Sequence, residues 1–62
     1  MDECETVRAL IKDKIKLRDA HIENTIGSLN RKDLDGALFH MNEAIMLDGS
    51  IRGLKSLNCP KP

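Results

Sequence analysis

The sequence predicts an all-α fold: an antiparallel two-helix hairpin that pairs with a second copy of itself into a four-helix assembly. Three observations lead there. Apolar residues recur at helical spacing over residues 3–29 and again from residue 34 onward, and a short polar stretch separates the two runs. The chain has 62 residues with one Phe, no Trp and no Tyr, so its core must be built from aliphatic side chains and Met. Two helices meeting along one seam shelter only part of such an inventory, and chains of this size often need another copy or a crosslink to be stable.

The first helix is expected over about residues 3–29. At about 100° per residue, Cys4, Val7, Ile11, Ile15, Ile22, Ile26 and Leu29 fall within one band, with Arg18 inside it. Glu5, Lys12, Asp13, Lys16, Glu23 and Asn24 occupy the opposite, solvated side. Leu10 and Leu17 make a thinner second ridge beside the band, which one partner helix would not cover. Asp2 and Glu5 have the spacing of a capping box, and the acidic residues at this end suit the helix dipole. Gly27 weakens the far end, and Asn30, tolerant of the left-handed conformation, closes it.

The turn is expected over residues 30–33, with Arg31 and Lys32 at its tip and Asp33 as the N-cap of the next helix. So short a connection makes the helices antiparallel. The second helix is expected over about residues 34–56. Leu34, Ala37, Leu38, Met41, Ala44, Ile45 and Asp48 share one face, the natural mate for the first band. Phe39, Met46 and Leu57 lie on a different side, and Leu47, Ile51 and Leu54 form a further apolar strip. A break is possible at residues 49–50, where Gly49 could close one helix and Ser50 cap another; continuity with a kink is the preferred reading. Residues 58–62 contain two prolines and are expected to be a flexible tail, leaving one hairpin domain over residues 1–57.

Charge excludes several functional classes. Ten basic and ten acidic residues cancel and are interspersed, whereas a nucleic-acid-binding domain usually shows a basic stripe. Lys12, Lys14, Lys16 and Arg18 alternate along a helix and so do not share a face. A nucleic-acid-binding dimer using Lys12, Lys16, Arg31 and Lys32 is the alternative reading, and it predicts salt-sensitive binding. No apolar run is long enough to span a bilayer, and the acidic start is unlike a secretory signal, so a cytoplasmic location without a membrane partner is expected.

If the turn is centred between Arg31 and Lys32, residues whose numbers sum to about 63 face each other across an antiparallel pair. Arg18 then lies opposite Ile45, one turn from Asp48, and these two charged residues are the candidate pair that sets the hairpin register. The competing reading is that Arg18 snorkels to water while Asp48 caps a helix end. The same arithmetic places His21 close to His40 and Cys4 opposite Cys59. Free thiols are expected in a reducing cytosol, with a thiol or metal sensor at Cys4 and Cys59 as a third functional reading. The two cysteines and two histidines cannot form one zinc site, because Cys4 and His21 are roughly 25 Å apart along one helix at ~1.5 Å per residue. No cofactor, metal or catalytic constellation is indicated, and no enzyme is expected: a cysteine nucleophile needs a histidine within reach, and the acidic residues are scattered.

Residues 33–48 resemble the helical half of a tetratricopeptide repeat, with Ala37, Ala44 and Ile45, and Leu47 and Asp48 at familiar spacings. The likeness ends with that single unit, since such arrays need several. The run Val7-Arg8-Ala9-Leu10-Ile11-Lys12-Asp13-Lys14-Ile15-Lys16-Leu17-Arg18-Asp19-Ala20-His21-Ile22-Glu23, taken with the length and the charged, Phe-poor composition, is similar to the small early proteins encoded in the exo–xis region of lambdoid bacteriophages. That resemblance implies an early phage protein acting inside the bacterial host and biasing the choice between lysis and lysogeny through a host or phage protein. The residues themselves point to a protein-binding role. Leu10, Leu17, Phe39, Met46, Leu54 and Leu57 are the candidate interface, for a second copy or for another, unidentified protein.

Overall fold

A computed structural model describes residues 3–57 as two antiparallel helices, α1 (Glu3–Asn30) and α2 (Leu34–Lys55), with no strand among the described residues. The Asp2 half of the expected capping box and the tail at residues 58–62 lie outside the described residues. The molecule is a rod of 45 × 15 × 14 Å, one pair of helices thick. α2 runs without interruption through Gly49 and Ser50, where a break was possible.

The turn has a physical cause that differs from the expected one. Asn30 stays helical, and Lys32, at φ 59°, takes the left-handed conformation instead. The Asp33 N–H donates to the Ser28 carbonyl at 2.8 Å and the Lys32 N–H to the Leu29 carbonyl at 3.0 Å. That pair of bonds is the Schellman closure, which requires its left-handed residue one position past the helix cap, here Lys32 rather than Asn30. Asp33 then starts α2 as its N-cap, its Oδ1 accepting from the Gly36 N–H at 3.0 Å. At the other end, Ser56 caps α2, its N–H donating to the Arg52 carbonyl at 3.0 Å.

The seam follows the expected apolar bands only in part: Cys4, Val7, Ile11, Ile15 and Arg18 of the first and Ala37, Ala44 and Asp48 of the second lie along it. On α2 the buried residues are Ala37, Ala44 and Ile51, seven apart, with His40, Leu47 and Leu54 half-buried between and beyond them. On α1 the half-buried positions include Cys4, Val7, Ile11, Ile15, Arg18, His21 and Thr25, and they lead to Ser28, which is 1% exposed. Both sets keep the 3.5-residue period of paired helices. The expected partners Ile22, Ile26 and Leu29 on α1, and Leu34, Leu38, Met41 and Ile45 on α2, are exposed instead. The apolar stripe of each helix winds away from a straight seam, because a band read at 3.6 residues per turn drifts by about 20° per heptad.

The seam therefore changes character along its length. Toward the open end it is aliphatic, with Ile11, Ile15, Leu47, Ile51 and Leu54 at or near the interface. Toward the turn it is small and polar, with Ser28, Gly36, Ala37 and Ala44 allowing close approach. A side-chain Cβ at Gly36 would sit 2.9 Å from the Asp33 Cγ and 3.1 Å from the Ser28 Oγ, so any larger residue there would push the capping carboxylate or the Ser28 hydroxyl aside.

Candidate functional site: two exposed apolar flanks and a polar seam

Polar side chains in the middle of the seam pair across the hairpin. Arg18 donates from Nη1 to Oδ1 of Asp48 at 3.2 Å. It also lies 3.3 Å from Asp19, and Arg52 approaches the other Asp48 oxygen at 3.0 Å from one turn further along α2. The result is a chain of alternating charge, Asp19–Arg18–Asp48–Arg52, in which Arg18 and Asp48 are partly shielded from water. One turn nearer the hairpin tip, the Nδ1 atoms of His21 and His40 are 2.9 Å apart, so one ring donates and the other accepts. Phe39 sits edge-on to both rings, at centroid distances of 6.4 Å and 5.2 Å.

Among the described residues, no group of three or more His, Cys, Asp or Glu side chains is placed to hold a metal ion. Cys4 is disulfide-bonded, which corrects the expectation of a free thiol there. The helix pairing brings Cys4 to the open end of the seam, where it is half-buried; the chain's one other cysteine, Cys59, lies outside the described residues. The cations of the nucleic-acid reading do not converge. Lys12 and Lys16 lie roughly 20 Å or more along α1 from the turn residues Arg31 and Lys32, at ~1.5 Å per residue.

Of the candidate interface residues, Leu10, Leu17, Phe39, Met46 and Leu57 are exposed, whereas Leu54 is half-buried at the seam. In the antiparallel pair, Leu10 and Leu17 on α1 and Phe39, Met46 and Leu57 on α2 lie on one flank of the hairpin. The opposite flank, assigned from the sequence to the core, is denser. Thr25, Leu29, Leu34, Ala37, Leu38 and Met41 line one groove of about 310 Å³. Ile22 and Ile26 extend that face along α1, and Ile45 extends it along α2, by steps of three, four and seven residues. The sequence held a signal for this outcome. Ala37 and Ala44 with Ser28 and Gly36 fill the turn half of the seam with small residues, and the larger side chains of the same stretch lie outside it.

Among the described residues, no helix is long and apolar enough to cross a membrane. No family model, curated protein or solved structure matches this chain.

Proposed function

We propose that this chain is a small non-enzymatic regulator that acts by binding proteins, pairing with a second copy of itself and offering further apolar surface to another protein. One observation carries the reading. Among the described residues, twelve large hydrophobic side chains are exposed, while the buried apolar residues are Ala37, Ala44 and Ile51 alone. Isolated surface leucines are ordinary, but a dense apolar face on one flank of a thin rod, with further exposed Leu, Phe and Met on the other, marks interaction surface. A helix pair of this shape also suits recognition of a partner helix laid into a groove.

The similarity to early proteins of the exo–xis region of lambdoid bacteriophages supplies a proposed setting: the cytoplasm of a bacterial host, and a regulatory contact that biases lysis against lysogeny. The disulfide at Cys4 pulls against that setting, since such bonds persist mainly in oxidising compartments.

The test is capture of binding partners from bacterial lysate by the tagged protein, with Leu17→Glu and Phe39→Glu as variants. Both side chains are exposed, and because Phe39 packs edge-on to the His21 and His40 rings, circular dichroism and melting check that its variant stays folded. A protein retained by the wild type and lost by both variants supports the reading. Identical capture by all three forms removes that flank from it. Retarded duplex DNA at low salt, released at moderate salt, would shift the assignment to nucleic acid.

A further inference from the structure

We propose that the second copy docks on the flank formed by Ile22, Ile26 and Leu29 of α1 and Leu34, Leu38, Met41 and Ile45 of α2, and that the Leu10, Leu17, Phe39 and Met46 flank stays open in the dimer. The inference rests on the self-pairing part of the reading above and names the surface that performs it.

Area gives the first argument. The seven large side chains of this flank are each 43–66% exposed and together leave roughly 700 Å² bare, close to the ~800 Å² that each partner contributes to a standard-sized interface. A hairpin one helix pair thick covers such a face by lying against another rod of its own kind.

Chemistry chooses the flank. Its seven large side chains are all aliphatic or Met, and the charged residues within the same spans, Glu23, Asp35 and Glu43, fall at helical positions beside it rather than on it. The groove floor is made by the small residues Thr25 and Ala37, and its walls by Leu29 on one side and Leu34, Leu38 and Met41 on the other. A face that carries both a groove and the ridges beside it can receive itself across a two-fold axis, as an isologous interface requires. Ridges of long aliphatic side chains entering a groove floored by small ones is also how helices pack in general. The opposite flank is sparser, with Leu10 and Leu17 on α1 separated by two turns and flanked by Asp13 and Asn24 at neighbouring positions.

Charge does not oppose the pairing. The apolar flank is bordered toward the open end by the chain Asp19–Arg18–Asp48–Arg52, two charges of each sign, and the whole molecule has a formal net charge of zero. Two copies brought face to face therefore meet no excess of one sign from this group of four. Hydrocarbon meets hydrocarbon at the turn half, and balanced charge lies at its edge.

Two pairs of matched residues make the assignment testable. Leu38 and Leu17 are 53% and 52% exposed on opposite flanks, so Leu38→Glu and Leu17→Glu place the same charge at equal starting exposure. By sedimentation equilibrium at micromolar protein, Leu38→Glu should raise the dimer dissociation constant at least 100-fold, and Leu17→Glu should change it less than 3-fold. Met41 and Met46 are both exposed, again on opposite flanks, and need no substitution. In wild-type protein, peroxide oxidation of Met41, read by mass spectrometry, should slow at least fivefold as protein concentration passes through dimerisation, while Met46 keeps its rate. If Leu38→Glu does not fold, as judged by circular dichroism, the methionine rates decide. Loss of the dimer in Leu17→Glu alone, or slowing of Met46 instead of Met41, would overturn this assignment and leave self-pairing standing. A wild-type chain that is folded and monomeric at millimolar concentration would overturn both, leaving the partner-binding flank to its own capture experiment.

Discussion

Arg18 and Asp48, thirty residues apart in the chain, meet across the hairpin with Nη1 and Oδ1 3.2 Å apart. The contact sits where the aliphatic half of the seam gives way to the small, polar half. Sliding one helix by a turn would set Arg18 against Ala44 and Ile45 in one direction and against Arg52 in the other, so the contact is expected to favour the observed register. Asp48 is shared with Arg52 at 3.0 Å, so loss of Arg18 does not strand the carboxylate. Replacing Arg18 by Met should therefore lower stability only modestly, by about 1 kcal/mol, in keeping with a half-exposed pair. The sharper measurement is a double-mutant cycle with Asp48→Asn, in which a coupling energy indistinguishable from zero would remove the register role.

Lys32 holds a left-handed conformation that glycine adopts without steric cost. Lys32→Gly should raise stability by up to ~1 kcal/mol, the relief of the Cβ clash being partly offset by a freer unfolded chain. Urea denaturation checks it. A drop in the midpoint would mean that the Lys32 side chain makes a contact worth more than the strain.

The glycines of α2 should respond in opposite senses. A Cβ added at Gly49 or at Gly53 meets nothing within 4 Å, so Ala at either position should stabilise the helix by about 1 kcal/mol. At Gly36 the same change pushes into the Asp33 cap and the Ser28 hydroxyl, and should cost about 1–3 kcal/mol through overpacking and the disturbed cap. Thermal melts of the three single variants give the signs directly.

Reduction of the disulfide at Cys4 should lower the melting temperature, since a crosslink of this kind typically contributes ~2–4 kcal/mol by restricting the unfolded chain. The comparison is wild type with and without reductant, with Cys4→Ser as the control that reductant should not affect. An unchanged melt would show that the aliphatic half of the seam, Ile11, Ile15, Leu47 and Ile51, holds the open end without it.

The sequence by itself determined the two helices, their antiparallel order and the position of the turn, because these follow from local chemistry. Apolar periodicity marks the helices, Asp33 supplies a side chain that accepts from the fourth N–H of its own turn, and a connection of three residues leaves the chain no room to do anything but reverse. The Arg18 and Asp48 contact was also legible, since counting outward from the turn brings the two within one helical turn of each other. Which face of each helix points inward was decided only by the tertiary structure. Rotation of a helix about its axis leaves its local hydrogen bonds unchanged, so periodicity alone does not choose between an inward Ile22, Ile26 and Leu29 and an inward His21, Thr25 and Ser28. The choice depends on what the other helix presents. Ala37 and Ala44 draw the backbones together near the turn, Gly36 leaves room for the Ser28 hydroxyl, and the large aliphatic side chains are turned out to form the flank on which a second copy is proposed to dock.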